Sequence, residues 1–166
     1  SCQEVIRKMD VVTRTMLQET MEIFDENNYE NINQRDKDVN RLYFLLYRTV
    51  LYNLENPTRA MKNYNYDSID LMRMHSIGFY IEMIADEARR IARFARKIKV
   101  NPTQKKLIEK FLQDSEAYYI ATMKAGYNKD MKSALGLSDH KVVMDKAVEK
   151  VEADVMAVKG LSKVVN

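Results

Sequence analysis

Two carboxylates, Glu82 and Asp86, stand four residues apart in Ile81-Glu82-Met83-Ile84-Ala85-Asp86, a step that puts both on one edge of an α-helix. Each lies one residue beyond an apolar position, Ile81 and Ala85. Asp36 and Asn40 repeat the four-residue step upstream. Two antiparallel helices carrying these sets would offer hard oxygen donors to a cation, a set suited to Mg, Ca, Mn or iron. His75 lies two turns before Glu82 on the same side, too far along the axis for ready shared ligation. The spacing leaves a plainer alternative open, because acids four apart are common on helices and Arg89 and Arg90 can pair with Asp86. The run from Arg89 to Lys99 reads as a solvated face complementing a helix dipole. Tyrosines and methionines at helical spacing read as core.

Other chemistry lacks its residues. There is no Ser/His/Asp or Cys/His set, no phosphate-binding glycine loop and no paired histidine-glutamate helix motif, so the chain reads as a non-enzyme. The single cysteine, Cys2, has no partner for an internal disulfide, which fits a reducing, cytoplasmic compartment. A net charge of +3 over 166 residues does not select nucleic acid as a partner. No run approaches the roughly 20 apolar residues of a membrane span, and the amino terminus lacks a signal-peptide core, so membrane insertion is not expected.

The elements that must position these acids are helices. Only 4 Gly and 2 Pro interrupt the chain, and apolar residues recur at three- and four-residue steps throughout. Val5, Ile6, Met9, Val12, Met16, Leu17, Met21 and Phe24 define a first helix. Ile32, Val39, Leu42, Leu46, Val50 and Leu54 define a second, stopped by Asn56-Pro57. Thr58 to Tyr66 reads as a polar, tyrosine-bearing connection. Asp67 or Ser68 caps a long helix to about Ile98, with a heptad seam through Met74, Ile77, Ile81, Ile84, Ala88, Ile91, Ala95 and Ile98. Asn101-Pro102 opens a fourth helix running to Gly126, and Ser138 or Asp139 caps a last one ending at Gly160. The expected architecture is all-α, one antiparallel helical bundle spanning 1–166.

Two echoes point to internal duplication. Met16-Leu17-Gln18-Glu19-Thr20 resembles Phe111-Leu112-Gln113-Asp114-Ser115, and Asp36-Lys37-Asp38-Val39-Asn40-Arg41-Leu42 resembles Asp145-Lys146-Ala147-Val148-Glu149-Lys150-Val151. The pattern is a complete three-helix repeat, about 1–99, followed by an incomplete second, about 101–166, without a long third helix.

Ile81-Glu82-Met83-Ile84-Ala85-Asp86-Glu87-Ala88-Arg89-Arg90-Ile91-Ala92 resembles the signature helix of the PhoU family of phosphate-uptake regulators, in its Glu-x-x-x-Asp step and the small and Ile-Ala positions that follow. Asp36 to Leu42 is similar to that family's companion motif on the preceding helix, and the helix order agrees across the first repeat.

The resemblance implies a cytoplasmic, non-enzymatic regulator that binds divalent or trivalent metal ions (iron, Mn, Mg, Ca or Zn) and damps phosphate uptake by contacting phosphate transporter components and a signalling kinase. The implied first-repeat ligands are Asp36, Glu82 and Asp86, with Asn40 where the family usually has a carboxylate. Asp145 and Glu149 stand in for the companion motif of the second repeat, which has no later Glu-x-x-x-Asp helix. Either the natural chain continues beyond Asn166, or the exposed seam is covered by a homodimer. The start at Ser1-Cys2 allows an upstream DNA-binding segment, which would bring nucleic acid in as a partner and make this the effector domain of a transcription regulator. A structural helical adaptor without metal is the remaining alternative.

Overall fold

The computed structural model describes residues 1–156, apart from the side chains at 140–144, 147, 151 and 154–156. The described residues form six α-helices and no strand: α1 (Cys2–Met21), α2 (Tyr29–Glu55), α3 (Pro57–Tyr64), α4 (Ser68–Ala95), α5 (Pro102–Tyr127) and α6 (Met131–Met156). The chain is thus all-α. It divides into two compact units, Ser1–Lys97 and Ile98–Asn166.

In the first unit α1, α2 and α4 each pack against the other two, and α3 lies against α2. The core between them is built from one stripe of each helix: Met9 and Met16 from α1, Ile32, Val39, Leu46 and Val50 from α2, Leu71 and Ile81 from α4. Burying such a side chain stabilises by about 1.5–3 kcal/mol before the entropy of ordering is subtracted. Asp10 is buried within the α1 stripe, where Arg14 one turn on donates to both its carboxylate oxygens at 2.9 Å. Arg35 of α2 likewise holds Glu19 of α1 at 3.0 Å, fixing the two helices in register.

The long helix is present as expected. Asp67 caps it, accepting from the Asp70 backbone N–H at 2.7 Å while Asp70 accepts in return from the Asp67 N–H. Its buried stripe differs from the expected seam. Ile81, Ala88 and Ala95 are buried, but the alternate positions are Gly78, Ala85 and Ala92, while Ile77 and Ile91 are exposed and Met74 and Ile84 half-buried. Small side chains win because α1 and α2 both press on this face; a Cβ on Gly78 would overlap Leu46 Cδ2, itself fully buried on α2. Close approach selects against volume here, whereas apolar periodicity cannot distinguish a small residue that is covered from a large one beside it.

The segment expected as a polar connection contains α3. Pro57 stops α2 and serves as the first residue of α3, whose end is closed by Asn65 in the left-handed region (φ 54°, ψ 42°) with its N–H directed to the carbonyls of Ala60 and Met61. Tyr64 and Tyr66 then stack at 5.4 Å. Only Ala60 of α3 is buried, so eight residues show too little periodicity to be recognised.

The second unit is a helical hairpin. Asn101 and Gln104 cap α5 reciprocally at 2.9 Å, with Pro102 at the first helical position. The last helix begins seven residues before the expected Ser138: Lys129 turns the chain at φ 53°, and Asp130 caps by accepting from the Ser133 N–H at 3.0 Å and its hydroxyl at 2.6 Å. Gly136 is then simply absorbed into the helix, with Tyr118 donating across to the Leu137 carbonyl at 2.9 Å. Gly160, the expected end, lies outside the described residues.

Candidate metal centre between α2 and α4

The acids read from sequence lie along the antiparallel seam of α2 and α4, whose register is set by Leu46 against Gly78 and by Asp36 against Arg89. Asp36 occurs on the buried stripe of α2, between Ile32 and Val39. Its Oδ2 is 3.0 Å from Arg89 Nε, an ion pair, and its Oδ1 is buried without a hydrogen-bond partner among the described residues. The same guanidinium turns its Nη2 to Asp86 Oδ1, so Arg89 bridges a carboxylate on each helix. Asn40 is half-buried and donates to the Asp36 carbonyl at 3.0 Å. Glu82 is half-buried on the same edge of α4.

The electrostatics report three carboxylates in one another's field. Burial pushes the Asp36 carboxyl above its ordinary value, and Asp86 adds to this against the opposing pull of Arg89. Burial raises the Glu82 carboxyl too, with Asp86 and Asp36 both contributing. The phenol of Tyr43, next along α2, is raised by burial and by Glu82. Arg89 is held more firmly protonated, first by its hydrogen bond to Asp86 and then by the charge of Asp36. The cluster therefore carries more negative charge than one guanidinium neutralises.

Asp36, Glu82 and Asp86 are thus brought together, with Asn40 one turn along from Asp36. Asp145 and Glu149 lie exposed on α6 in the second unit. His75 belongs to an aromatic group: Tyr43 Oη is 3.2 Å from its Nε2, and the rings of Tyr43 and Tyr47 stand 5.9 and 5.6 Å away. Arg89 departs from the solvated face expected of the run to Lys99, because Asp36 of α2 reaches it from across the seam. Arg96 stays exposed, as expected, with its guanidinium over the Tyr29 ring at 3.9 Å. Tyrosines and methionines divide: Met9, Met16, Tyr29, Tyr66 and Tyr119 are core, whereas Tyr80, Met72 and Met83 are exposed.

The oxygen donors fit a hard cation in type, and the orphaned Asp36 Oδ1 is an acceptor such an ion would satisfy. As arranged, with Arg89 between Asp36 and Asp86, no three Asp, Glu, His or Cys side chains among the described residues form a cage for an ion. No described helix is long and apolar enough to cross a membrane.

α1, α2 and α4 form a three-helix bundle whose α2–α4 seam is rich in carboxylates and bridged by one guanidinium. Residues 6–95, more than half the chain and running from within α1 to the end of α4, match the PhoU domain, and the chain belongs to the PhoU domain family. That family is regulatory and non-catalytic. No curated protein and no solved structure matches the chain.

Proposed function

We propose that this chain is a cytoplasmic regulator of phosphate uptake and phosphate signalling, acting without catalysis through contacts with phosphate transporter components and their signalling kinase. The observation that supports it best is the PhoU domain match over residues 6–95, which contains α2, α4 and their acidic seam together with α1 from Ile6 onward. The test is uptake of labelled phosphate by phosphate-replete cells deprived of their own regulator of this family. Expressing the chain lowers uptake towards the normal rate; uptake unchanged at confirmed expression refutes the reading.

Within that function, Asp36, Glu82 and Asp86 would hold a divalent or trivalent cation, with Asn40 as a neutral oxygen donor in place of a carboxylate. A bound ion would supply positive charge between α2 and α4 and tie the two helices together. Its entry requires Arg89 to release Asp36 and Asp86, because one acid cannot keep both partners at full strength. Asp145 and Glu149 would form at most a weaker second site, both being exposed. One observation favours a second reading, a helical adaptor that works without metal: Arg89 already supplies an internal cation to the seam.

A further inference from the structure

Arg89 occupies the seam imperfectly. Its Nη2 donates to Asp86, while its Nε stands 3.0 Å from Asp36 Oδ2. The second contact is an ion pair without an aligned hydrogen bond, because Arg89 Nε and Asp36 Oδ1 are both buried and have no hydrogen-bond partner among the described residues. A guanidinium is a rigid planar fork that matches a single carboxylate well. Here it spans two carboxylates on different helices, and only the Asp86 end is satisfied. Asp36 is left as a buried carboxylate with an orphaned oxygen, an arrangement that favours any partner able to serve it better.

We propose, on the metal reading of Asp36, Glu82 and Asp86, that Arg89 is a tethered competitor for the cation of this seam and sets the concentration of multivalent metal at which the site fills. With Arg89 in place the three acids share one positive charge. With the guanidinium swung aside and a divalent ion seated, they share two. An alkali ion brings no more charge than the guanidinium and none of its hydrogen bonds, so it cannot take its place. A divalent or trivalent ion brings more charge, reaches both oxygens of Asp36 and gives the orphan a partner.

Ion and guanidinium exclude each other, so the apparent affinity is the intrinsic affinity reduced by the fraction of seams in which Arg89 has let go. A seam released about one-tenth of the time binds about tenfold more weakly than one permanently free. Tyr29 lies within hydrogen-bonding reach of Arg89, so the guanidinium keeps a partner after release. Arg90, the next residue, is committed to Glu87 and carries the same charge outside this contact.

Isothermal titration of Mn²⁺ into the full chain, at pH 7 and constant ionic strength, tests the competition. Arg89→Met is expected to bind about tenfold or more tightly than wild type. Arg89→Lys keeps a charge but loses the fork, and is expected to fall between the two. Arg90→Met removes one charge outside the seam and is expected to stay within about twofold of wild type. Mn²⁺ should also raise the melting temperature of Arg89→Met further than that of wild type. Far-UV circular dichroism in metal-free buffer establishes folding; if Arg89→Met is unfolded there, Arg89→Lys carries the comparison with wild type. No binding by wild type or by any Arg89 variant refutes the metal reading itself, and the competition with it. Wild type that binds Mn²⁺ as tightly as the Arg89 variants leaves the metal reading standing and overturns the competition. So does an Arg90→Met that gains as much affinity as Arg89→Met, since net charge alone would then explain the gain.

Discussion

Replacing Arg89 with methionine keeps most of the apolar stem and removes the charge, so it isolates what the guanidinium does for the seam. Arg89 is 3.0 Å from Asp36, with side chains 21% and 12% exposed, and it also bonds Asp86, which is 36% exposed. Removing one partner of a fully buried pair costs about 3–5 kcal/mol. Solvent at Arg89 and Asp86 screens part of that, leaving about 2–3 kcal/mol expected for Arg89→Met at pH 7. Urea unfolding followed by far-UV circular dichroism measures the loss as a lower midpoint at similar slope. The loss should shrink towards pH 4, as the carboxylates left behind become protonated. If the acids then accept a divalent ion, free ion at about 100 times its Kd returns about 2.7 kcal/mol. A loss below about 0.5 kcal/mol at pH 7, or a loss independent of pH, would refute the view that Arg89 neutralises a buried acidic cluster.

Two further outcomes follow from the same seam. Glu82→Gln removes a like-charge neighbour of Asp86 one turn away and should stabilise by about 0.3–0.5 kcal/mol at pH 7 in metal-free buffer. The Glu82 and Asp36 carboxyls are raised in the fold, so the native state holds protons that the unfolded chain has lost. Their charged forms therefore lower stability above the raised values, and this cost fades as pH falls through them to the ordinary carboxylate range; the advantage of Glu82→Gln should fade in that same window. Gly78→Val should cost about 1–3 kcal/mol in chemical denaturation, because the added branches meet Leu46 in a closed core. A neutral or stabilising result would mean that α2 and α4 are not held at that separation.

Much of the frame was legible from residue order. The periodic runs placed α1, α2, α4 and α5, and capping residues located the starts of α4 and α5, since these signals are local. The stripe of α4 that faces inward was not legible, because Ile77 and Gly78 are adjacent and only the pressure of α2 decides between them. Nor was α3, where Pro57 serves both as a stop and as a start. In the site, the four-residue steps placed Asp36, Glu82 and Asp86 on facing edges. Arg89 was readable as a partner of Asp86 on its own helix, but not of Asp36, because a bond between helices depends on their register. The buried Asp10, held by Arg14, carried no distinguishing pattern at all.

The metal site proposed in the α2–α4 seam is tested most directly by elemental analysis of the purified full chain beside a Glu82→Ala/Asp86→Ala variant. The wild type is expected to retain bound metal after dialysis, and the variant dialysed against the same buffer is expected to have lost it. Equal metal content in the two, whether present or absent, would contradict it.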